Sequence, residues 1–397
     1  MSARTKVVLL FLPLALALSI LIDTPFHALW GSNLLGVYSA SVRPSISVGS
    51  FWRAKFQPEL EAWFEQQLAS KAVMVRTDNT ISLLVFREIS AHSGSTIVLG
   101  KHHTLFELSY INNRNGVSEF KGDLPPKSPY SVAESTRRMA RAARAFRLLG
   151  IDFMIVFYPS KAAVLSQRLR SSYVLPGGVE KSEAGYQQLL DELRAGGVPV
   201  VDGAGLFSEI ARETPNFPLY NSGGLHWTDA GACQVARLML QQMPLANVAR
   251  SDLRCRLGAG STAEGGDADL AELSNLWDHS RFLDQIPSLT PSLSRRLSGG
   301  PRDALIVGTS FSEHFSRELH QAGAFRNVKR VLYYRHSNVA DLQWEREVLR
   351  PVVIFEQWQW SYLTVNLTEF LADLVANSAR FADAYRQADS EIASPPR

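Results

Sequence analysis

One histidine and one serine stand where side chains of their type can do chemistry. His226 lies in "YNSGGLHWTDAG", residues 220–231, between a glycine-rich turn and the start of a predicted helix. Ser310 lies in "DALIVGTSFSEHF", where a run of apolar residues gives way through Gly308 to another predicted helix. A hydroxyl at a strand-to-helix junction is well placed for nucleophilic attack. Unpaired backbone N–H groups at the helix start can hold an oxyanion there, and the helix dipole assists. The donors expected for that role are the amides of Ser310 and Phe311. An imidazole within reach would act as the base. The arrangement departs from the GxSxG elbow, because position 312 is serine rather than glycine. Each residue also has a plainer reading, a satisfied surface histidine and a serine that caps a helix. Only their meeting makes a site.

For the two to meet, both must reach one edge of a sheet. From residue 131 onward the pattern alternates. Ser131 and Glu134 form a capping pair for a helix running to about Leu149, which Gly150 stops. "IDFMIVFYP" reads as a buried strand, residues 180–195 as a helix, "VPVVDG" as a strand and "AGLFSEIARE" as a short helix. Thr228 is the expected N-cap of the helix "TDAGACQVARLMLQQM". Residues 256–300 read as loop, rich in Gly, Ser and Pro. "DALIVG", "VKRVLYYRH" and "RPVVIFEQW" read as strands, "SFSEHFSRELHQAG" as a helix ended by Gly323, and a last helix spans "LTEFLADLVANSARFADAYRQA". Strands near residues 152, 198, 303, 330 and 351 predict one parallel sheet covered on both faces, a three-layer α/β domain over 126–385. Such sheets bind ligands at the carboxyl ends of their strands. Residues 26–125 read as a helical collar with a hairpin at "STIVLGKHHTLFEL", turning at Gly100-Lys101, and residues 386–397 as a disordered tail.

The chain of 397 residues is 46% hydrophobic and 20% charged, a globular composition. Its net charge of +3 and the absence of any long Lys/Arg run exclude a nucleic-acid footprint. Residues 7–22 are uncharged and almost wholly apolar, with Arg4 and Lys6 before them and Asp23 after. They read as a signal-peptide core or an uncleaved anchor over 1–25; the anchor is favoured, with the body exported. Cys233 and Cys255 either form a disulfide or remain buried thiols, and neither sits in a CxxC pattern. His102 and His103 have no metal spacing, and no P-loop or GxGxxG is present, so no metal or cofactor is expected.

The segments "GLHWTDAGA" and "LIVGTSFS", together with "VLGKHHTLFE", "YPSKAAVLSQRL", "VVDGAGLF" and "GDADLAELSNLW", resemble the SGNH-hydrolase-like polysaccharide O-acetyltransferases of the alginate AlgJ/AlgX type, over roughly residues 55–365. The resemblance implies Ser310 as nucleophile and His226 as base. It also implies a periplasmic enzyme, anchored to the inner membrane, that acetylates hydroxyls of a secreted polysaccharide and receives acetyl groups through a multipass membrane O-acyltransferase. The chain ends about 30 residues after this core, which brings it nearer the AlgJ than the AlgX arrangement.

One departure stands out. The family's DxHW pattern sets an aspartate two residues before the histidine, and here that position is Gly224. Three outcomes follow: a backbone carbonyl orients His226, another acid substitutes, or the site is inactive. Asp229 and Asp278 are the first choices for the acid, with Asp267 and Asp269 in the same long loop as Asp278. A polysaccharide acetylesterase and a catalytically inactive scaffold of a secretion complex are the rival functions. Lys161, Tyr334, Arg335 and Glu356, at or just beyond strand ends, are substrate-binding candidates whose plain alternative is a surface or structural role. Trp227 is a further candidate, though it reads first as a packing wedge.

Overall fold

The computed structural model describes residues 34–36, 56–67, 70–89, 97–117, 132–243, 253–294, 303–332, 352–357 and 368–393. Helices α1 (Phe56–Gln67) and α2 (Ser70–Ile81) come first, and α2 runs into a π-helical turn at Ser82–Phe86. Strands β1 (Ile97–Leu99) and β2 (Leu105–Glu107) form the predicted antiparallel hairpin. The hairpin is fastened to the core: Ile97 and Leu105 pack with Leu270 and Phe282, and the Leu105 amide donates to the Ser222 carbonyl at 2.8 Å. A short helix α3 (Leu108–Arg114) follows.

Helix α4 (Val132–Leu148) leads into the sheet, and Gly150 ends it with φ at 70°, a conformation glycine adopts without strain. Next come β3 (Phe153–Phe157), α5 (Lys161–Val164), α6 (Gly178–Ala195), β4 (Val200–Asp202), α7 (Gly203–Glu213) and α8 (Asp229–Gln242). Thr228 caps α8, its hydroxyl accepting from the Gly231 amide at 3.1 Å. An excursion through β5 (Leu253–Thr262), α9 (Asp269–Leu273) and β6 (Gln285–Leu293) returns to β7 (Ala304–Gly308) and α10 (Ser312–Gln321). The chain closes with β8 (Val328–Leu332), β9 (Val352–Gln357), α11 (Thr368–Asn377) and α12 (Ala379–Ala393).

The five predicted parallel strands pair in the order β4-β3-β9-β7-β8. Their residues are apolar without polar alternation because both faces are covered. Phe153, Ile155 and Phe157 point into one core with α4, α6, α11 and α12. Met154, Val156 and Tyr158 point into the other, with α7, α8 and α10. The two-residue side-chain period of a strand thus serves both layers at once.

Two expectations are corrected. The stretch 256–300 is not mainly loop: β5 and β6 form a long antiparallel ribbon with a register shift between Leu257 and Gly260. Gly258, Gly260, Pro287 and Pro291 mask its strand character, yet a two-stranded ribbon has outward edges where proline and glycine cost little. Residues 386–393 are helical rather than disordered, because Ala388 is fully buried and Asp389 pairs with Arg141 of α4. Among the described residues no helix is long and apolar enough to cross a membrane, and the expected anchor over 1–25 lies outside them. Ser131 of the expected capping pair also lies outside them.

Cys233 of α8 and Cys255 of β5 form a disulfide across a sequence separation of 22, with Cα atoms 6.0 Å apart. It ties the base of the exposed ribbon to a buried helix. Closing a loop of that length stabilises the fold by about 3 kcal/mol in the chain-entropy model. Replacing both cysteines by alanine is therefore expected to lower unfolding free energy in urea by about 3 kcal/mol; an unchanged midpoint would show that the loop is held by other contacts.

Candidate active site

The site forms where β7 ends. Gly308 closes the strand, and Thr309, Ser310 and Phe311 turn the chain into α10. The turn is pinned from within: the Ser312 amide donates to the Thr309 carbonyl and the Glu313 amide to the Ser310 carbonyl, each at 3.1 Å. From the side, the Thr309 hydroxyl meets the Tyr158 hydroxyl at 2.7 Å. Tyr158 is buried beyond the end of β3, so two strands hold this turn.

His226 reaches the turn from the loop before α8. Its Nε2 lies 2.8 Å from Ser310 Oγ. Trp227 anchors the loop: it is fully buried, and its indole N–H donates to the Phe311 carbonyl at 3.0 Å. The Phe311 ring in turn lies 4.5 Å from the imidazole, centroid to centroid. Trp227 is thus the packing wedge and presents no face to a sugar.

Asp269 supplies the acid. Its Oδ2 lies 2.7 Å from His226 Nδ1, while Oδ1 accepts from the Leu225 amide at 2.6 Å and the Leu270 amide at 2.8 Å. The carboxylate is therefore fixed by two backbone donors and offers its second oxygen to the ring. That bond places the proton on Nδ1 and leaves the Nε2 lone pair for the serine hydroxyl. The imidazole and carboxylate are mostly covered, at 15% and 22% side-chain exposure, so bulk water screens them weakly.

The first choices for this acid were Asp229 and Asp278, and neither reaches His226. Asp229 is taken by His314, at 2.6 Å from its Nδ1, and by Arg317. Burial would raise its pKa, but the His314 hydrogen bond and the two cationic neighbours hold the carboxyl below its ordinary value. Asp278 lies at the surface and accepts from the Ser280 amide at 2.9 Å. Asp267 accepts from the Asn221 side chain at 2.9 Å, and burial raises its pKa.

Gly224 fits the relocation. A Cβ at 224 would stand 2.5 Å from the Asp267 carbonyl oxygen, so the loop carrying Asp267 and Asp269 lies directly against the glycine. Having no side chain at 224 lets that loop approach and deliver Asp269 to the imidazole.

Lys161 does not face substrate as proposed. It is 2% exposed, and its Nζ donates to the carbonyls of Ser222 at 2.8 Å and Gly224 at 2.7 Å. Burial pushes its pKa down to about 7, against the opposing pull of Asp269 and Asp284. The expected oxyanion pair also changes. The Phe311 amide donates to the Thr309 hydroxyl at 3.3 Å, whereas the Ser310 amide has no acceptor among the described residues. Glu356 lies in β9, in register with Val156. Tyr334 and Arg335 lie outside the described residues. The sequence reading overlooked Glu107 at the end of β2, whose pKa is raised by burial in the field of Asp269 and His226, and Asp284, which accepts from the Ser222 amide. No local motif marks either residue.

With a parallel sheet and a Ser-His-Asp relay at its carboxyl edge, the molecule has the architecture of an SGNH-like hydrolase or acyltransferase. The family model "SGNH hydrolase-like domain, acetyltransferase AlgX" matches residues 121–328, and the chain belongs to that family. The alginate biosynthesis protein AlgX of Pseudomonas fluorescens is 27% identical over 112 residues, covering 27% of this chain and 23% of that protein. The alignment thus spans less than a quarter of that relative. The solved structure of Pseudomonas aeruginosa AlgX overlays with a TM-score of 0.50 at 17% identity, over 72% of this chain and 68% of that one. The O-acetyltransferase domain of Pseudomonas putida AlgJ gives a TM-score of 0.44 at 18% identity, over 74% and 99% respectively.

Asp269→Asn should lower any Ser310-dependent reaction by about 10²- to 10⁴-fold, whereas Asp278→Asn should leave it within about twofold. Gly224→Asp should not rescue Asp269→Asn, since the new side chain displaces the loop. Rescue would show that position 224 can still serve. Lys161 yields a pH test. With a folded-state pKa of about 7 against an ordinary 10.5, the unfolded chain binds more protons between those values, so stability rises with pH across that window. In Lys161→Met, denaturation midpoints measured from pH 7 to 10 should lose that rise.

Proposed function

We propose that the chain is an O-acetyltransferase that moves an acetyl group to hydroxyls of a secreted polysaccharide through an acetyl-serine intermediate. The observation that carries this reading is the unbroken hydrogen-bonded series Ser310, His226, Asp269 in a member of the AlgX acetyltransferase family. Ser310 Oγ attacks the acetyl carbonyl of the donor while His226 Nε2 takes its proton. Asp269 stabilises the imidazolium and keeps the ring in place. The tetrahedral oxyanion is held by the Ser310 amide. As it collapses, His226 returns the proton to the departing donor oxygen and the acetyl group stays on Ser310. A sugar hydroxyl then attacks, gives its proton to His226 and leaves as the acetate ester, and the proton returns to Ser310.

Water in the acceptor position would make the same site an acetylesterase, because the two reactions differ only in what the acceptor site binds. The inactive-scaffold reading loses its main support, since Asp269 fills the role left open at Gly224. Export to the periplasm with an inner-membrane anchor is part of the proposal. It is supported by the apolar run 7–22 behind two basic residues and by a disulfide suited to an oxidising compartment. Acetyl supply by a multipass membrane O-acyltransferase belongs to the same reading.

The test is intact-protein mass spectrometry of the full chain in detergent with 4-nitrophenyl acetate. Wild type should gain one acetyl group or release nitrophenol, and Ser310→Ala and His226→Ala should fall by about 10³-fold or more. Added oligosaccharides should then carry off the acetyl group. Equal activity in Ser310→Ala would remove the nucleophile from the account, and release of free acetate alone would favour the esterase.

A further inference from the structure

A second polar concavity lies along the same edge of the sheet. It is a cavity of about 350 Å³ at the carboxyl ends of β3 and β4, between α5, α6 and α7. That volume falls in the range of small-molecule sites. Its floor is apolar, made by the buried rings of Tyr158 and Phe207. Its rim is polar and planar, with Arg114, Glu183, Gln187 and Asp202 around the opening. Glu183 and Gln187 lie one turn apart on α6, so both project from one face of that helix. A ring floor under amide, carboxylate and guanidinium groups suits a sugar, whose C–H face packs on rings while adjacent hydroxyls both donate and accept.

Arg114 adds an independent sign. One of its guanidinium nitrogens, Nη1, is buried with no hydrogen-bond partner among the described residues. Buried donors in folded proteins are normally satisfied, and leaving one unmet costs about 1–3 kcal/mol. An oxygen acceptor on a bound molecule would meet it. The charges of the rim narrow the ligand. Two carboxylates, Glu183 and Asp202, face one guanidinium, so a uronate residue would bring a further negative charge against them.

The position relates the cavity to the reaction. Strand β4 is three places and β3 two places from β7 in the sheet, so neighbours spaced about 4.8 Å apart set the cavity roughly 10–15 Å from Ser310 along the edge. Tyr158 spans the interval: its ring helps form the cavity floor, and its hydroxyl bonds Thr309 beside the nucleophile.

We propose that this cavity is an acceptor subsite that holds a neutral sugar residue of the polysaccharide, away from the hydroxyl being acetylated. The proposal rests on the acetyltransferase reading and names the substrate class for it. A chain gripped here would lay a nearby residue across Ser310, and short acceptors that cannot span the interval would be poor substrates.

The experiment measures binding and transfer separately, on the full chain in detergent. Saturation-transfer NMR on Ser310→Ala would compare neutral hexamers (cellohexaose, laminarihexaose, mannohexaose) with hexamers of mannuronate and galacturonate. At least one neutral hexamer should bind more tightly than either uronate. The double variant Arg114→Met, Glu183→Gln should weaken that binding roughly tenfold, the scale of one or two lost polar contacts. In the enzyme with Ser310 intact, the same variant should raise KM for the hexamer acceptor while nitrophenol release from 4-nitrophenyl acetate stays at the wild-type rate. Tighter binding of a uronate, no binding by any hexamer, or binding untouched by the double variant would each overturn the proposal. Nitrophenol release that does not depend on Ser310 would instead overturn the acetyltransferase reading, so the two failures are distinguishable. Wild-type esterase rates in the double variant also show that it folds.

Discussion

The carboxylate of Asp269 accepts from three N–H groups at once: the amides of Leu225 and Leu270 and the imidazole of His226. Two of those donors belong to one loop and the third to the start of α9, so a single side chain joins the histidine loop to the excursion between β5 and β6. Remove the carboxylate and the imidazole loses both its tautomer and its tether. The backbone amides at Leu225 and Leu270 would also be left without an acceptor, and buried donors without partners are costly. The site's chemistry and its local fold therefore rest on the same three bonds.

Around that centre, buried polar groups hold the loops rather than touch substrate. Lys161 clamps the carbonyls of Ser222 and Gly224, and Asp284 accepts from the Ser222 amide. Trp227 ties the histidine loop to Phe311, and Tyr158 ties β3 to Thr309. A second pair, His314 with Asp229, lies beside the first, the two imidazole centroids 6.3 Å apart. Next to it Glu318 is 1% exposed and burial pushes its pKa up to about 8, so near neutral pH it is mostly uncharged and adds little negative field to the site. Rigid supports of this kind are what a nucleophile and base need to stay within hydrogen-bond reach.

Much of this fold was legible because its signals are local. Gly150 and Gly323 mark helix ends that the chain makes in left-handed turns, and Thr228 caps its helix with its own hydroxyl. The strands "FMIVF" and "ALIVG" announce burial on both faces by their unbroken apolar character. The ribbon β5–β6 was hidden because glycine and proline break the alternation that identifies a strand, while pairing between distant segments compensates. The orienting acid was hidden for a related reason. Asp229 is three residues from His226 in sequence but turns toward α10, whereas Asp269, 43 residues away, returns to the ring through the excursion. Lys161 looked like a surface lysine because nothing in its neighbours announces that the loop at 222–224 will fold over it.

The most direct test of the account is the NMR resonance of the proton on His226 Nδ1. A proton shared between an imidazole nitrogen and a fixed carboxylate resonates far downfield and exchanges slowly enough to be seen. The account predicts such a signal in the wild-type protein, abolished by His226→Ala and by Asp269→Asn and retained in Asp229→Asn. A signal that survives Asp269→Asn but disappears with Asp229→Asn would contradict the relay described here and assign the histidine's partner elsewhere.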